Sequence, residues 1–131
     1  MRRLAVVLVL VVLAACKSKP KVELVGSACA DVASCTAECD RGVVVACDRL
    51  VPLTPDPTAR QAVYRKAYER WSQVCDLGAP EACMSAAQSS YASHGGTPTT
   101  DRDTLARDPE ACEYIEIWAR AQGTPLLQPC P

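Results

Sequence analysis

Neither sign of charge predominates in this chain, and it contains no phenylalanine. Fourteen Lys plus Arg stand against fifteen Asp plus Glu, a net charge of −1 over 131 residues. The basic stripe that nucleic-acid binding requires is missing, so no nucleic-acid partner is expected. His94 is the one histidine, which excludes a His-pair zinc site and a two-histidine acid/base mechanism within the chain. No apolar run approaches the roughly 20 residues that span a bilayer core of about 30 Å. There is no G-x-S-x-G, and Ser27, Ser34, Ser72, Ser85, Ser89, Ser90 and Ser93 all lack a Lys three residues later. Serine chemistry of the β-lactamase or penicillin-binding kind therefore loses its usual nucleophile. Aromatics make up 5% of the chain, so a small core has to use most of them. What is abundant is apolar content, at 49%, together with nine cysteines and ten prolines. That composition excludes a disordered, collagen-like or coiled-coil chain and leaves one small domain.

The N-terminus carries an address. Arg2 and Arg3 precede an unbroken apolar run from Leu4 to Ala15, a charged n-region and an h-region too short for a lasting membrane span. The run ends in Leu13-Ala14-Ala15-Cys16, which resembles the bacterial lipobox. The resemblance implies a signal peptide over residues 1–15, cleavage before Cys16, and acyl chains on Cys16 that anchor the protein in the membrane. The mature chain then loses Arg2 and Arg3 and carries a net charge of about −3. Residues 16–26, which include Lys17, Lys19 and Lys21, are expected to form a tether. In such lipoproteins an Asp after the lipidated cysteine goes with inner-membrane retention. Lys17 at that position implies the outer membrane, facing the periplasm.

Eight cysteines remain after Cys16, an even number in an exported segment, 27–131, and disulfides are the default reading. Composition leaves 105 ways of pairing eight cysteines, and spacing reduces them. Cys39-Asp40-Arg41-Gly42-Val43-Val44-Val45-Ala46-Cys47 repeats 36 residues later as Cys75-Asp76-Leu77-Gly78-Ala79-Pro80-Glu81-Ala82-Cys83, with five of nine positions identical. A fixed period of that size marks stacked supersecondary units.

The chemistry of the repeat predicts its structure. Asp56-Pro57 supplies an N-cap carboxylate followed by proline at the first helical position. The chain then runs to Leu77 without Gly or Pro, carrying Ala59, Val63, Ala67, Trp71 and Cys75 at i+4 steps with Ala62 and Val74 beside them, an amphipathic helix. Gly78 stops it, and Pro80-Glu81 opens a second helix. Antiparallel helices joined this way can bring Cys75 and Cys83 within disulfide reach, and the repeat extends the pairing to Cys39 and Cys47. The β-branched Val43-Val44-Val45 would alone suggest a strand, but the alignment makes Val43 to Val51 a helix closed by Pro52. A third, degenerate copy is expected from Asp108-Pro109-Glu110-Ala111-Cys112, with Ile115, Trp118 and Ala121 on one side and a stop at Gly123. The proline-rich tail after it should be extended, and Cys130 can fold it back onto Cys112. Cys29 and Cys35 are left over. On one continuous helix they would lie about 9 Å apart along the axis, so either Cys29 precedes the helix or it pairs elsewhere.

The pattern Cys-Asp-x-Gly-x-x-x-Ala-Cys at a 36-residue period resembles the Sel-one-like repeats, relatives of the tetratricopeptide repeats, in their cysteine-rich bacterial branch. The match is close over residues 35–51 and 71–95. It implies an all-α fold of helix-turn-helix pairs cross-linked by the two cysteines, stacked into a short α/α solenoid that serves as a protein-interaction scaffold. The family's Tyr followed by a spaced Gly-x-Gly stands here as Tyr91-Ala92-Ser93-His94-Gly95-Gly96, with adjacent glycines and a polar stretch after them.

Candidate functional residues follow from both readings. Arg60, Tyr64, Arg65 and Tyr68 combine flat aromatic area with guanidinium donors on the long helix, a composition typical of recognition surfaces; the plainer alternative is that both tyrosines border the core stripe. His94-Gly95-Gly96 is similar to an oxyanion-hole loop but reads as an ordinary turn. Asp101, Asp103, Asp108 and Glu110 are clustered without EF-hand spacing, and Asp108 suits an N-cap. No cofactor or metal is expected. The function expected is a non-catalytic scaffolding lipoprotein whose partner is an envelope protein or peptidoglycan. The alternative is a cell-wall-related enzyme or a β-lactam- or peptidoglycan-binding protein.

Overall fold

The computed structural model describes residues 22–131. The expected signal peptide, Cys16 and Lys17, Lys19 and Lys21 of the expected tether lie outside the described residues. Among the described residues six helices follow one another: α1 (Val32–Asp40), α2 (Val44–Leu50), α3 (Pro57–Asp76), α4 (Pro80–Ser93), α5 (Arg102–Leu105) and α6 (Pro109–Ala121). Extended structure among the described residues is limited to one parallel bridge between Glu23 and Val43. The protein is all-α, with α1 against α2, α2 against α3, α3 against α4 and α4 against α6.

Local chemistry starts and stops these helices. Asp31, Asp56, Asp101 and Asp108 each accept a backbone N–H of the first turn, as at Asp56, 2.8 Å from the Ala59 amide. Proline opens α3, α4 and α6, where its missing N–H is no loss. The two repeat loops share one backbone. Gly42 and Gly78 sit at φ 101° and 98°, a region open to glycine and costly for residues with a Cβ. Each turns the chain so that its own N–H meets the carbonyl of Cys39 or Cys75, and the next residue's N–H meets that of Glu38 or Val74. This pair of hydrogen bonds satisfies two of the free carbonyls at the helix end. Both loops then enter the next helix at an extended residue, Val43 or Ala79, that has no side-chain cap.

A disulfide closes each loop, Cys39–Cys47 and Cys75–Cys83, with Cα atoms 4.7 Å apart in both. Cys29–Cys35 spans 5.1 Å. That bridge is possible because α1 begins at Val32, so Cys29 precedes the helix. Cys112–Cys130 ties the irregular tail to α6 at 5.6 Å.

Three of the four bridges sit inside the core. One cluster joins Cys29, Cys35, Cys39, Cys47, Val43, Leu50, Val63 and Ala67; a second joins Val74, Cys75, Ala82 and Cys83; a third joins Ala87, Leu105, Ala111 and Ile115. Trp71 packs against the first two clusters and Tyr114 against the last two, so scarce aromatics knit three small cores together.

Four expectations need correction. Ala59 and Ala62 are exposed, because α3, at 20 residues, outreaches the 14 residues of α4 and its first turns overhang. Ala121 is likewise exposed, and the inner face of α6 is Ala111, Cys112, Ile115 and Ala119. Helix α2 begins at Val44 rather than Val43, which is held by Glu23: the Glu23 N–H donates to the Gly42 carbonyl at 2.8 Å. Val22 and Glu23 are therefore docked on the domain rather than free in a tether, with Val22 against the second cluster.

Candidate functional site

Helix α3 carries the four residues singled out in the sequence, and the structure divides them between two surroundings. Arg60 and Tyr64 lie toward its N-terminal end. The Arg60 side chain donates to the carbonyls of Thr54 at 2.9 Å and Pro55 at 2.8 Å, fixing the loop that leads into α3. Tyr64 is half-buried and lines a cleft of about 230 Å³ with Pro57, Gln61, Gly95, Gly96 and Pro98. Burial raises the Tyr64 hydroxyl above its ordinary pKa, the Arg60 charge opposes that rise, and Asp48 adds to it. The hydroxyl stays protonated at neutral pH, so it can both donate and accept a hydrogen bond.

Arg65 and Tyr68 face α6 instead. The Arg65 fork holds both oxygens of Glu110, at 2.5 and 2.9 Å, and its guanidinium carbon lies 4.2 Å from the centre of the Tyr68 ring. Tyr68 and Tyr114 meet edge to face with centroids 5.6 Å apart and hydroxyls 3.2 Å apart. Such forked and stacked contacts are directional and orient the helices as well as attract them. The Arg65 hydrogen bonds, helped by Ser90 and opposed by partial burial, pull the Glu110 carboxyl down to about 2. Burial first, and then the Tyr114 hydroxyl, raise Tyr68 well above the ordinary tyrosine range.

His94, the residue after α4, joins this cluster. Its Nδ1 is 2.6 Å from Asp108 and its Nε2 is 3.6 Å from Glu110. The fully buried Ser90 donates to Glu110 at 2.6 Å, and Ser93 donates to the Ser90 carbonyl at 2.7 Å. The group thus brings α3, the end of α4 and the start of α6 to one point. A serine, a histidine and two carboxylates lie together here, but the Ser90 hydroxyl is enclosed and spent on Glu110. Its hydrogen bond latches α4 to α6. Gly95, at φ 91°, belongs to the turn ending α4.

The suspected carboxylate cluster is dispersed by its capping duties. Asp101 accepts from Thr104, Asp108 from the amides of Glu110 and Ala111, and Glu110 is held by Arg65. Among the described residues no three His, Cys, Asp or Glu side chains are placed to hold a metal ion. Nothing local in the sequence signals the Arg65–Glu110 pair, because its members are 45 residues apart. Glu81, the repeat counterpart of Glu110, is exposed.

No family model, curated protein or solved structure matches the chain.

Proposed function

We propose that the chain is an exported lipoprotein, anchored by acyl groups on Cys16 and placed in the outer membrane facing the periplasm. Its folded part acts as a non-catalytic interaction module. The observation that carries this reading is the set of four disulfides, which uses all eight cysteines beyond Cys16. Such usage belongs to an oxidising compartment, and the lipobox supplies the route there. The pairs α1–α2 and α3–α4 are read as two Sel-one-like units opening a short α/α solenoid, supported by the common backbone of the two stapled loops. Helix α6 is read as the second helix of a third unit whose first helix has shrunk to the single turn of α5.

The binding surface assigned is the cleft at Tyr64 and Arg60. It is open, it presents the Tyr64 ring and a protonated hydroxyl, and Arg60 in its lining is held by its hydrogen bonds to Thr54 and Pro55. The occupant proposed is a segment of an envelope protein or a peptidoglycan fragment. In crosslinking of intact envelopes, Tyr64→Ala should reduce capture of the co-purifying partner about thirtyfold, the loss expected for a well-packed anchor worth roughly 2 kcal/mol. Undiminished capture would remove the cleft from the account. Turnover of a β-lactam or a peptidoglycan fragment by the oxidised protein would replace the scaffold with an enzyme.

A further inference from the structure

The four disulfides are not equally protected. Seven of the eight cysteines are at most 5% exposed, while Cys130 is half-buried at the surface. Three bridges close loops of 6, 8 and 8 residues, two of them between helices that hold their cysteines in place. The fourth spans 18 residues and ends on a tail without regular structure. Besides the bridge, that tail is held by Arg102, which donates to the Thr124 hydroxyl at 3.0 Å and carbonyl at 2.8 Å, and by Leu126 against the third core cluster. Leu127 beside it is fully exposed. The tail forms one wall of a cleft of about 770 Å³ whose other wall is α5 and the turn after it, with Arg102, Asp103, Ala106 and Arg107.

Thiol–disulfide exchange needs a thiolate to approach one sulfur along the S–S axis, and access decides which sulfur is attacked. We propose that Cys130 is a thiol-exchange site for an external dithiol of the Cys-x-x-Cys kind, and that exchange there releases the C-terminal strap from α5 and α6. The inference rests on the disulfide-stapled reading of the envelope protein but not on its lipid anchor or its partner. In the first step a thiolate of the dithiol forms a bond to Cys130 Sγ, the Cys112–Cys130 bond breaks, and its electron pair leaves with Cys112, which takes a proton from water. In the second step the other thiol of the dithiol loses its proton and attacks its own partner sulfur, and Cys130 leaves and is protonated. Two electrons pass to the protein; the dithiol ends as a disulfide and Cys112 and Cys130 as thiols.

Once opened, the two interhelical bridges re-close readily because their helices keep the sulfurs together, and the Cys29–Cys35 bridge re-closes over only six residues. Cys130, on a freed tail, moves away from Cys112. Release leaves Leu105 and Ile115, both fully buried in the oxidised state, under thinner cover. The other three bridges and the α1–α4 core stay intact, so the change is confined to one end of the molecule.

The test uses the full-length oxidised protein and dithiothreitol as the dithiol, with alkylation at timed intervals, peptide mapping, and amide hydrogen exchange on the same samples. Cys112 and Cys130 should be alkylated about tenfold faster than any other pair, and α5 and the first turns of α6 should lose protection while α1 to α4 keep theirs. Cys130→Ser should show the same loss in α5 without reductant. If another bridge opens first, or if release leaves α5 as protected as before, the inference is overturned. Free thiols before any reductant is added would overturn the stapled reading itself.

Discussion

Arg65 links the centre of α3 to the start of α6, and its effect depends on the charge of Glu110. That carboxyl is held down to about 2, first by the Arg65 hydrogen bonds, while an unfolded glutamate titrates near 4.3. The folded state therefore binds fewer protons than the unfolded state between these values, and stability must fall with pH across the window. The contribution is fully present above about pH 4.5 and is lost as pH falls through about 2. Since the side chains are 40% and 31% exposed, solvent screening limits its size, and Glu110→Gln should cost about 1 kcal/mol at pH 7. In urea denaturation the gap between wild type and Glu110→Gln should shrink on going from pH 7 to pH 3. A gap that stayed constant would mean the carboxylate charge is not what the latch uses. Tyr68→Ala should also destabilise the fold, because it removes the face under Arg65 and the edge against Tyr114, whereas Tyr64→Ala should leave the melting temperature nearly unchanged. The sequence showed these tyrosines one turn apart and could not show that they serve different neighbours. That difference is set by where α6 returns, after a long polar loop whose path no local pattern encodes.

At the scale of the element, the stapled helix pair was largely legible. Asp56-Pro57, Gly78 and Pro80 each carry a local instruction for starting or stopping a helix, and the 36-residue repeat overruled the strand tendency of Val43-Val44-Val45. Tertiary contact decided the rest: Val43 is half of a bridge with Glu23, and the overhang of α3 leaves Ala59 and Ala62 in solvent despite their helical spacing. Gly78→Ala should cost about 1–2 kcal/mol, because a Cβ is forced into the left-handed region. The strain is purely conformational, since nothing lies within 4 Å of the added carbon. Gly26→Ala, at open backbone with no such φ, is the control that should be neutral in the same denaturation experiment. Replacing Cys75 and Cys83 together by Ala should cost about 2–3 kcal/mol by the loop-closure account. Far-ultraviolet circular dichroism should still show the helices, since Val74, Ala82 and Ala86 remain buried.

Across the whole molecule, a core built from alanine, valine and half-cystine is held by covalent links and a few aromatic bridges rather than by bulk. Leu105 and Ile115 lead the fully buried side chains in volume, so little apolar area is available per residue and the disulfides take a correspondingly large share of stability. Four disulfides in so small a core fit an oxidising compartment, and export to one is part of the proposed function. The cysteine spacing and the lipobox therefore bear on one claim: that the protein works only after crossing a membrane, tethered at Cys16 and oxidised everywhere else. Intact-mass analysis with non-reducing peptide mapping of the protein recovered from bacterial envelopes tests it directly. The account predicts an N-terminal Cys16 carrying acyl chains and four bridges, Cys29–Cys35, Cys39–Cys47, Cys75–Cys83 and Cys112–Cys130. An unmodified Cys16 within an uncleaved chain, or a bridge joining Cys39 to Cys75, would contradict it.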